Sequence, residues 1–329
     1  MSLSAQMLKK AVYMSALLAL AAPAHAEWVR RITDGIMGTR ITVELWADDK
    51  DKAEQAIDAV LDEMRHIDDS MSTYKPSSEV SRVNDKAADG PMRISKELFD
   101  LLVTAKEYSV ITDGAFDITY ASVGYLYDFR KHVHPDEAQI DKALPAVNFR
   151  HVLLDAKKQT VQFTQKGVRI DLGGIAKGYS VDRGIDVLKA RGFTRMYVSA
   201  GGDSRIVGDR FGKPWMVGIR DPRKGEGEVI TKIPLVDAAI STSGDYERFF
   251  ERDGVRCHHL LDPRTGLSPA SVRSVTIIAD DGLTTEAFSK TVFVLGVEEG
   301  LRFVEAHAGV DAVIVDAHGA LHYSAGLLG

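Results

Sequence analysis

Cysteine is almost missing from this sequence: Cys257 is the only one in 329 residues. A disulfide framework is therefore excluded, even in a compartment that would permit one. A lone thiol of this kind is more often buried and inert than reactive. Positive charge is not in excess, with 41 Lys and Arg against 47 Asp and Glu and a net charge of −6. Such a balance excludes attraction to a nucleic-acid backbone as the basis of function. Beyond the first 26 residues no apolar run is long enough to span a bilayer. Neither Gly-x-x-x-x-Gly-Lys-Ser/Thr nor Gly-x-Gly-x-x-Gly occurs, so the P-loop and the dinucleotide fingerprint are both absent. There is no internal repeat and no low-complexity tract.

What is present begins with an export signal. Lys9 and Lys10 precede a nearly unbroken apolar stretch over 11–22, and Ala24-His25-Ala26 is a small-residue cleavage site. Residues 1–26 are read as a secretory signal peptide and left out of fold reasoning. No Cys lies near the cleavage site to carry a lipid. The expectation is a periplasmic protein with no stable membrane insertion after cleavage. The mature chain, 27–329, has roughly 300 residues, enough for one large domain or two closely packed ones.

Periodicity supplies the elements. Thr39 to Leu45 alternates as a half-buried strand. Ala53, Ala56, Ile57, Val60, Leu61, Met64 and Ile67 form one helical face. Ser95 reads as the N-cap of a second helix carrying Leu98, Leu101, Leu102 and Ala105. Short strands are expected at 152–154, 161–163 and 168–170, then a helix over 175–190 that stops at Gly192. Further strands follow at 196–198, 215–219, 238–240 and 275–278. Helices are expected at 284–295 and 298–308, and two strands at 312–315 and 320–323 close the chain. The segments 129–142 and 221–228 read as loops. Strands follow one another without regular helical crossovers, so the fold class is α+β, with mixed, largely antiparallel sheets and packed helices.

Several clusters suit ligand chemistry. Asp171-Leu172-Gly173-Gly174-Ile175-Ala176-Lys177-Gly178 places a carboxylate and two glycines before a helix start. Its bare backbone suits close approach to an anion, and it equally suits an ordinary strand-to-helix connection. Met37 lies in a glycine-flanked turn, and Tyr74 stands on a polar loop where its face suits a planar heterocycle. Ala115-Phe116-Asp117 offers backbone groups and a carboxylate, or a simple Asx-type turn. Asp245 follows Ser241-Thr242-Ser243-Gly244, and His258-His259-Leu260-Leu261-Asp262-Pro263-Arg264-Thr265-Gly266 packs imidazoles beside a guanidinium fork. Glu286 and Lys290, four apart on one helix, suit a surface ion pair or a phosphate or metal site.

Taken in order, the Met37 turn, Ser72-Thr73-Tyr74, Gly114-Ala115-Phe116-Asp117, the 171–178 segment, Ser199-Ala200-Gly201-Gly202-Asp203, Ser241-Thr242-Ser243-Gly244 and His259–Gly266 resemble the ApbE family of FAD:protein FMN transferases. The resemblance runs from about Met37 to Gly296. It implies a flavin site in a cleft between two closely packed parts of the fold. It implies transfer of the FMN half of FAD to a Thr hydroxyl of a protein, with release of AMP. The implied acceptor is a domain of a membrane-associated redox protein. Met37, Tyr74, Ala115, Phe116, Asp117, Asp171, Lys177 and Leu260 are the implied FAD contacts, and His259, Arg264 and Asp245 the candidate catalytic residues. A cation, usually Mg²⁺, is implied at Gly174, Glu286 and Lys290. There the chain departs from the family pattern, because an ammonium has no lone pair to give a metal. Either the cation is held differently, with water completing its shell, or Lys290 itself neutralises the diphosphate. A pyrophosphatase giving FMN and AMP, and a non-enzymatic FAD carrier, remain as alternatives.

Overall fold

The computed structural model describes residues 26–225 and 227–328. The expected signal peptide therefore lies outside the described residues except for its last residue. No helix among the described residues is long and apolar enough to cross a membrane.

Among the described residues there are fifteen strands and seven α-helices. The strands are β1 (Glu27–Ile36), β2 (Thr39–Ala47), β3 (Met92–Arg93), β4 (Val152–Asp155), β5 (Thr160–Phe163), β6 (Met196–Ala200), β7 (Asp203–Val207), β8 (Trp215–Arg220), β9 (Val229–Leu235), β10 (Ala239–Gly244), β11 (Phe249–Arg252), β12 (Val255–His258), β13 (Val272–Ala279), β14 (Asp311–Asp316) and β15 (Leu321–Tyr323). The helices are α1 (Lys50–Met71), α2 (Glu79–Lys86), α3 (Lys96–Ile111), α4 (Ala121–Gly124), α5 (Glu137–Ala143), α6 (Ala176–Lys189) and α7 (Gly282–Glu305).

Eight strands form one antiparallel sheet in the order β1-β2-β6-β7-β10-β13-β14-β15. Alternation along each strand assigns its two faces. On β10, Ile240 joins Trp215, Ile219, Ile233 and Leu235 under the β8–β9 hairpin. Its neighbours Ser241 and Ser243 bond instead to Ser289 of α7 on the other face. Helix α1 starts on Asp49, whose carboxylate accepts the Lys52 N–H at 3.1 Å. The apolar face expected for it is buried against β1, β2 and α6, where each large side chain contributes about 1.5–3 kcal/mol. Ser95 caps α3 by accepting the Leu98 N–H, as expected. The fold is α+β, as the sequence indicates.

Two expectations change. Residues 168–170 are in no ladder. Ile170 instead donates to and accepts from the Asn84 side chain at 2.7 and 2.9 Å, an amide standing in for a strand neighbour. The segment 129–142 is not all loop, because Asp136 and Gln139 form a capping box that starts α5. The two late helices meet as expected, α7 being interrupted at Gly296, whose φ of 79° is not helical.

Candidate flavin and phosphate site

The site begins where two helices meet. A Cβ on Gly178 would lie 2.1 Å from the carbonyl oxygen of Gly282, so only bare backbone allows α6 and α7 this close. Asp182 of α6 seals the crossing by accepting from the N–H groups of Gly282 and Leu283, and it also takes a hydrogen bond from Arg205 at 2.6 Å. The crossing brings Lys177 against Glu286, 109 residues apart in sequence.

Four charges converge there. Glu286 is fully buried; its Oε2 accepts the Gly178 N–H at 2.7 Å and its Oε1 accepts from Lys177 Nζ at 2.9 Å. Lys177 also bonds Asp203, which is 1 % exposed and accepts from Ser241 Oγ at 2.6 Å. The two-residue hairpin turn Gly201-Gly202 between β6 and β7 delivers Asp203 to this point. Burial opposes the Lys177 charge, but Asp203 and Glu286 outweigh it and hold the ammonium above the ordinary lysine range. Burial pushes Asp203 up, yet Lys177 and Lys290 prevail and hold it below the usual carboxylate range. Lys290 completes the group, with Nζ 3.4 Å from Glu286 Oε1 and 3.4 Å from Ser289 Oγ.

Other site residues gather beside it. A Cβ on Gly174 would lie 3.4 Å from the Phe116 ring and 3.8 Å from Lys290 Cγ, so Gly174, Phe116 and Lys290 share one wall. Asp171 accepts from Thr73 Oγ1 at 2.9 Å and from the Gly173 N–H at 2.6 Å, fixing the glycine turn. Tyr74 is exposed, and Arg248 donates to its hydroxyl at 3.3 Å. The N–H of His259 bonds the Arg248 carbonyl. The His259 Nδ1 is buried without a partner. Burial first, then the cations Arg248, Lys290 and Lys177, push the imidazole down to about 3, so it is uncharged at neutral pH.

Met37 and Gly38 form the β1–β2 turn with φ of 52° and 66°, and Met37 packs against both major cores. Leu260 and Phe116 belong to one core cluster with Leu172 and Ile175. The Ala115 and Phe116 N–H groups are both taken by Thr112.

Three expectations are corrected. Asp117 is no open acceptor, because its oxygens receive the Thr119 N–H and hydroxyl and the Phe149 N–H, making it the cap of a short 3₁₀ turn. Asp245 is no free base; Arg223 grips both its oxygens at 2.7 and 2.6 Å, and Arg256 lies 3.4 Å away. Arg264, expected to offer its fork to phosphate oxygens, has that fork bonded to Asp262 at 2.8–3.2 Å. The sequence reading missed Arg248, which no motif carries, and Tyr120, a phenol pushed far up by burial and then by Asp171 and Tyr74. It also left Asp203 without a role, although the paired glycines before it mark a tight hairpin.

The Mg²⁺ set of Gly174, Glu286 and Lys290 does not fit. Mg²⁺ demands near-octahedral oxygen ligation at about 2.0–2.1 Å. Here both Glu286 oxygens and both Asp203 oxygens already accept protein donors, and Lys290 brings a cation. Among the described residues, no three His, Cys, Asp or Glu side chains are grouped to hold a metal.

Comparison with known proteins agrees with this layout. The sequence model of the ApbE family matches residues 37–314. An FAD:protein FMN transferase of Klebsiella pneumoniae is 31 % identical over 283 residues, covering 85 % of this chain and 87 % of the relative. One from Treponema pallidum is 32 % identical, covering 78 % and 76 %. The crystal structure of the Thermotoga maritima ApbE protein superposes with a TM-score of 0.84 at 34 % identity, covering 92 % of this chain and 98 % of that one. The apo flavinyl transferase ApbE of Pseudomonas stutzeri gives 0.79 at 29 % identity, covering 92 % and 95 %. With its glycine turn, its crossed helices and its ordered motifs all in one fold, the chain belongs to the ApbE family.

Proposed function

We infer that this chain transfers the FMN half of FAD to a Thr hydroxyl of a protein acceptor and releases AMP. The observation that carries this reading is the uncharged His259, with Nδ1 unpartnered, held within electrostatic reach of Lys177 and of Lys290, whose stem lies against Gly174. A diphosphate transfer needs charge neutralisation and alignment more than covalent chemistry. The Gly173-Gly174 backbone and Lys290 receive the diphosphate, and Tyr74 and Met37 offer apolar surface to the flavin. The acceptor oxygen forms a bond to the FMN-side phosphorus as the bond from that phosphorus to the bridging oxygen breaks. His259 takes the hydroxyl proton, and AMP departs opposite.

The export signal read at 1–26 supports a periplasmic site of action and an acceptor domain facing that compartment, as on a membrane redox protein. The test is incubation of mature protein with FAD and candidate acceptor domains, followed by intact mass and AMP analysis. A gain of one FMN per acceptor with equal AMP supports the reading. FMN and AMP released equally fast without acceptor would make the chain a pyrophosphatase, and intact FAD throughout would make it a carrier.

A further inference from the structure

We propose that Lys290 does the work of a divalent cation, so that this transferase binds and splits FAD without metal. The proposal rests on the FAD reading above and adds what neutralises the diphosphate.

The two lysines differ in how fully they are used. Lys177 makes close bonds to Asp203 and Glu286 and is fixed by them. Lys290 makes no hydrogen bond shorter than 3.4 Å, although an ammonium carries three donors and this side chain is only 18 % exposed. Its stem runs beside Gly174, so the ammonium stands on the same wall as the glycine turn. An under-bonded ammonium at that place is completed by phosphate oxygen.

The surroundings also reject a second cation. Lys177 and Lys290 balance Asp203 and Glu286 charge for charge, so an added divalent ion would meet two ammoniums and no uncommitted carboxylate. The serines nearby add no anion: Ser241 donates to Asp203, and Ser289 donates to the Glu286 carbonyl. A tethered ammonium needs no octahedral shell, and its flexible stem follows the phosphate as the bridging bond lengthens.

The experiment strips purified protein with EDTA, desalts it, and titrates FAD by flavin fluorescence in excess EDTA and in Mg²⁺. The wild type is expected to bind FAD with Kd values within about threefold of each other. Lys290→Met should weaken binding in EDTA by about 10- to 100-fold, the range of a lost charged hydrogen bond, while Lys290→Arg retains most of it. Lys290→Thr should bind FAD measurably better in Mg²⁺ than in EDTA. Should the variants fold poorly, the wild-type comparison decides alone. Binding by the wild type at least tenfold tighter with Mg²⁺, or one Mn²⁺ taken up per protein with FAD by electron paramagnetic resonance, overturns the proposal and leaves the FAD reading standing. Absence of FAD binding in both buffers overturns both.

Discussion

Replacing Lys177 by Met tests whether this residue holds the site together or merely touches FAD. Its ammonium is the shared partner of two carboxylates, Asp203 at 1 % and Glu286 at 0 % exposure. Methionine keeps most of the stem volume and removes the charge. Asp203 then keeps only Ser241, and Glu286 keeps the Gly178 N–H and the distant Lys290. Removing one member of a buried ion pair costs about 3–5 kcal/mol, because the other is left uncompensated. At about 2 °C per kcal/mol for a chain of this size, Tm should fall by about 6–10 °C.

The pH dependence has a definite sign. In the wild type Asp203 sits below its ordinary value because the lysines overcome burial. Its contribution is therefore present above the unfolded carboxylate range and lost as pH falls through the depressed folded value. In the variant burial wins, the carboxyl rises, and protonation relieves the unpaired charge on acidification. The stability gap between wild type and variant must therefore narrow from pH 8 to pH 5. Thermal and urea denaturation at both values measure it, and adding Asp203→Asn to Lys177→Met should recover part of the loss. A Tm change below about 2 °C, or a gap that does not vary with pH, refutes the reasoning and returns Lys177 to a role confined to ligand contact.

Gly178→Ala should cost at least as much as typical overpacking, about 1–3 kcal/mol, because its Cβ would lie 2.1 Å from the Gly282 carbonyl; the urea midpoint measures it. Arg264→Ala should leave FAD affinity within about twofold, since Asp262 already holds its fork, whereas Arg248→Ala should weaken it by about tenfold; fluorescence titration separates them. His259→Ala should slow FMN transfer by about 100-fold or more while FAD affinity changes far less, as single-turnover mass analysis would show. The His259 ring should stay uncharged from pH 8 down to near pH 4 by NMR in the free protein. Because the unfolded ring takes a proton near 6.5 and the folded one near 3, this residue removes stability as pH falls between those values, by up to about 1.4 kcal/mol per pH unit.

Local signals were legible where local physics decides. The face of α1, the Ser95 cap and the break near Gly296 follow from periodicity, capping and backbone preference. The start of α5 is legible too, in Asp136 and Gln139, although the polar segment around Pro135 reads as loop. Long-range events were not. Nothing near Ile170 in sequence says that Asn84 will take a strand's place, and nothing near Gly178 says that Gly282 will press against it. The motif residues Asp245, Asp117 and Arg264 drew attention as charged groups beside glycines. Their partners Arg223, Phe149 and Asp262 decide that they anchor loops instead.

The depressed imidazole and the under-bonded lysine belong to one argument. An imidazole held near 3 is a feeble base, so His259 in the free protein takes no proton from an acceptor hydroxyl at neutral pH. Part of that depression comes from Arg248, Lys290 and Lys177, whose fields act on a ring with no counter-charge beside it. A diphosphate settling on Lys290 brings that counter-charge, offsets the cations and raises the ring's basicity. Burial, the largest cause, remains when the donor is bound, so any gain in basicity comes from the diphosphate charge alone. Proton acceptance is thus coupled to donor occupancy. On the proposed reading, a protein hydroxyl that arrives after FAD meets a more basic His259 than one that arrives first.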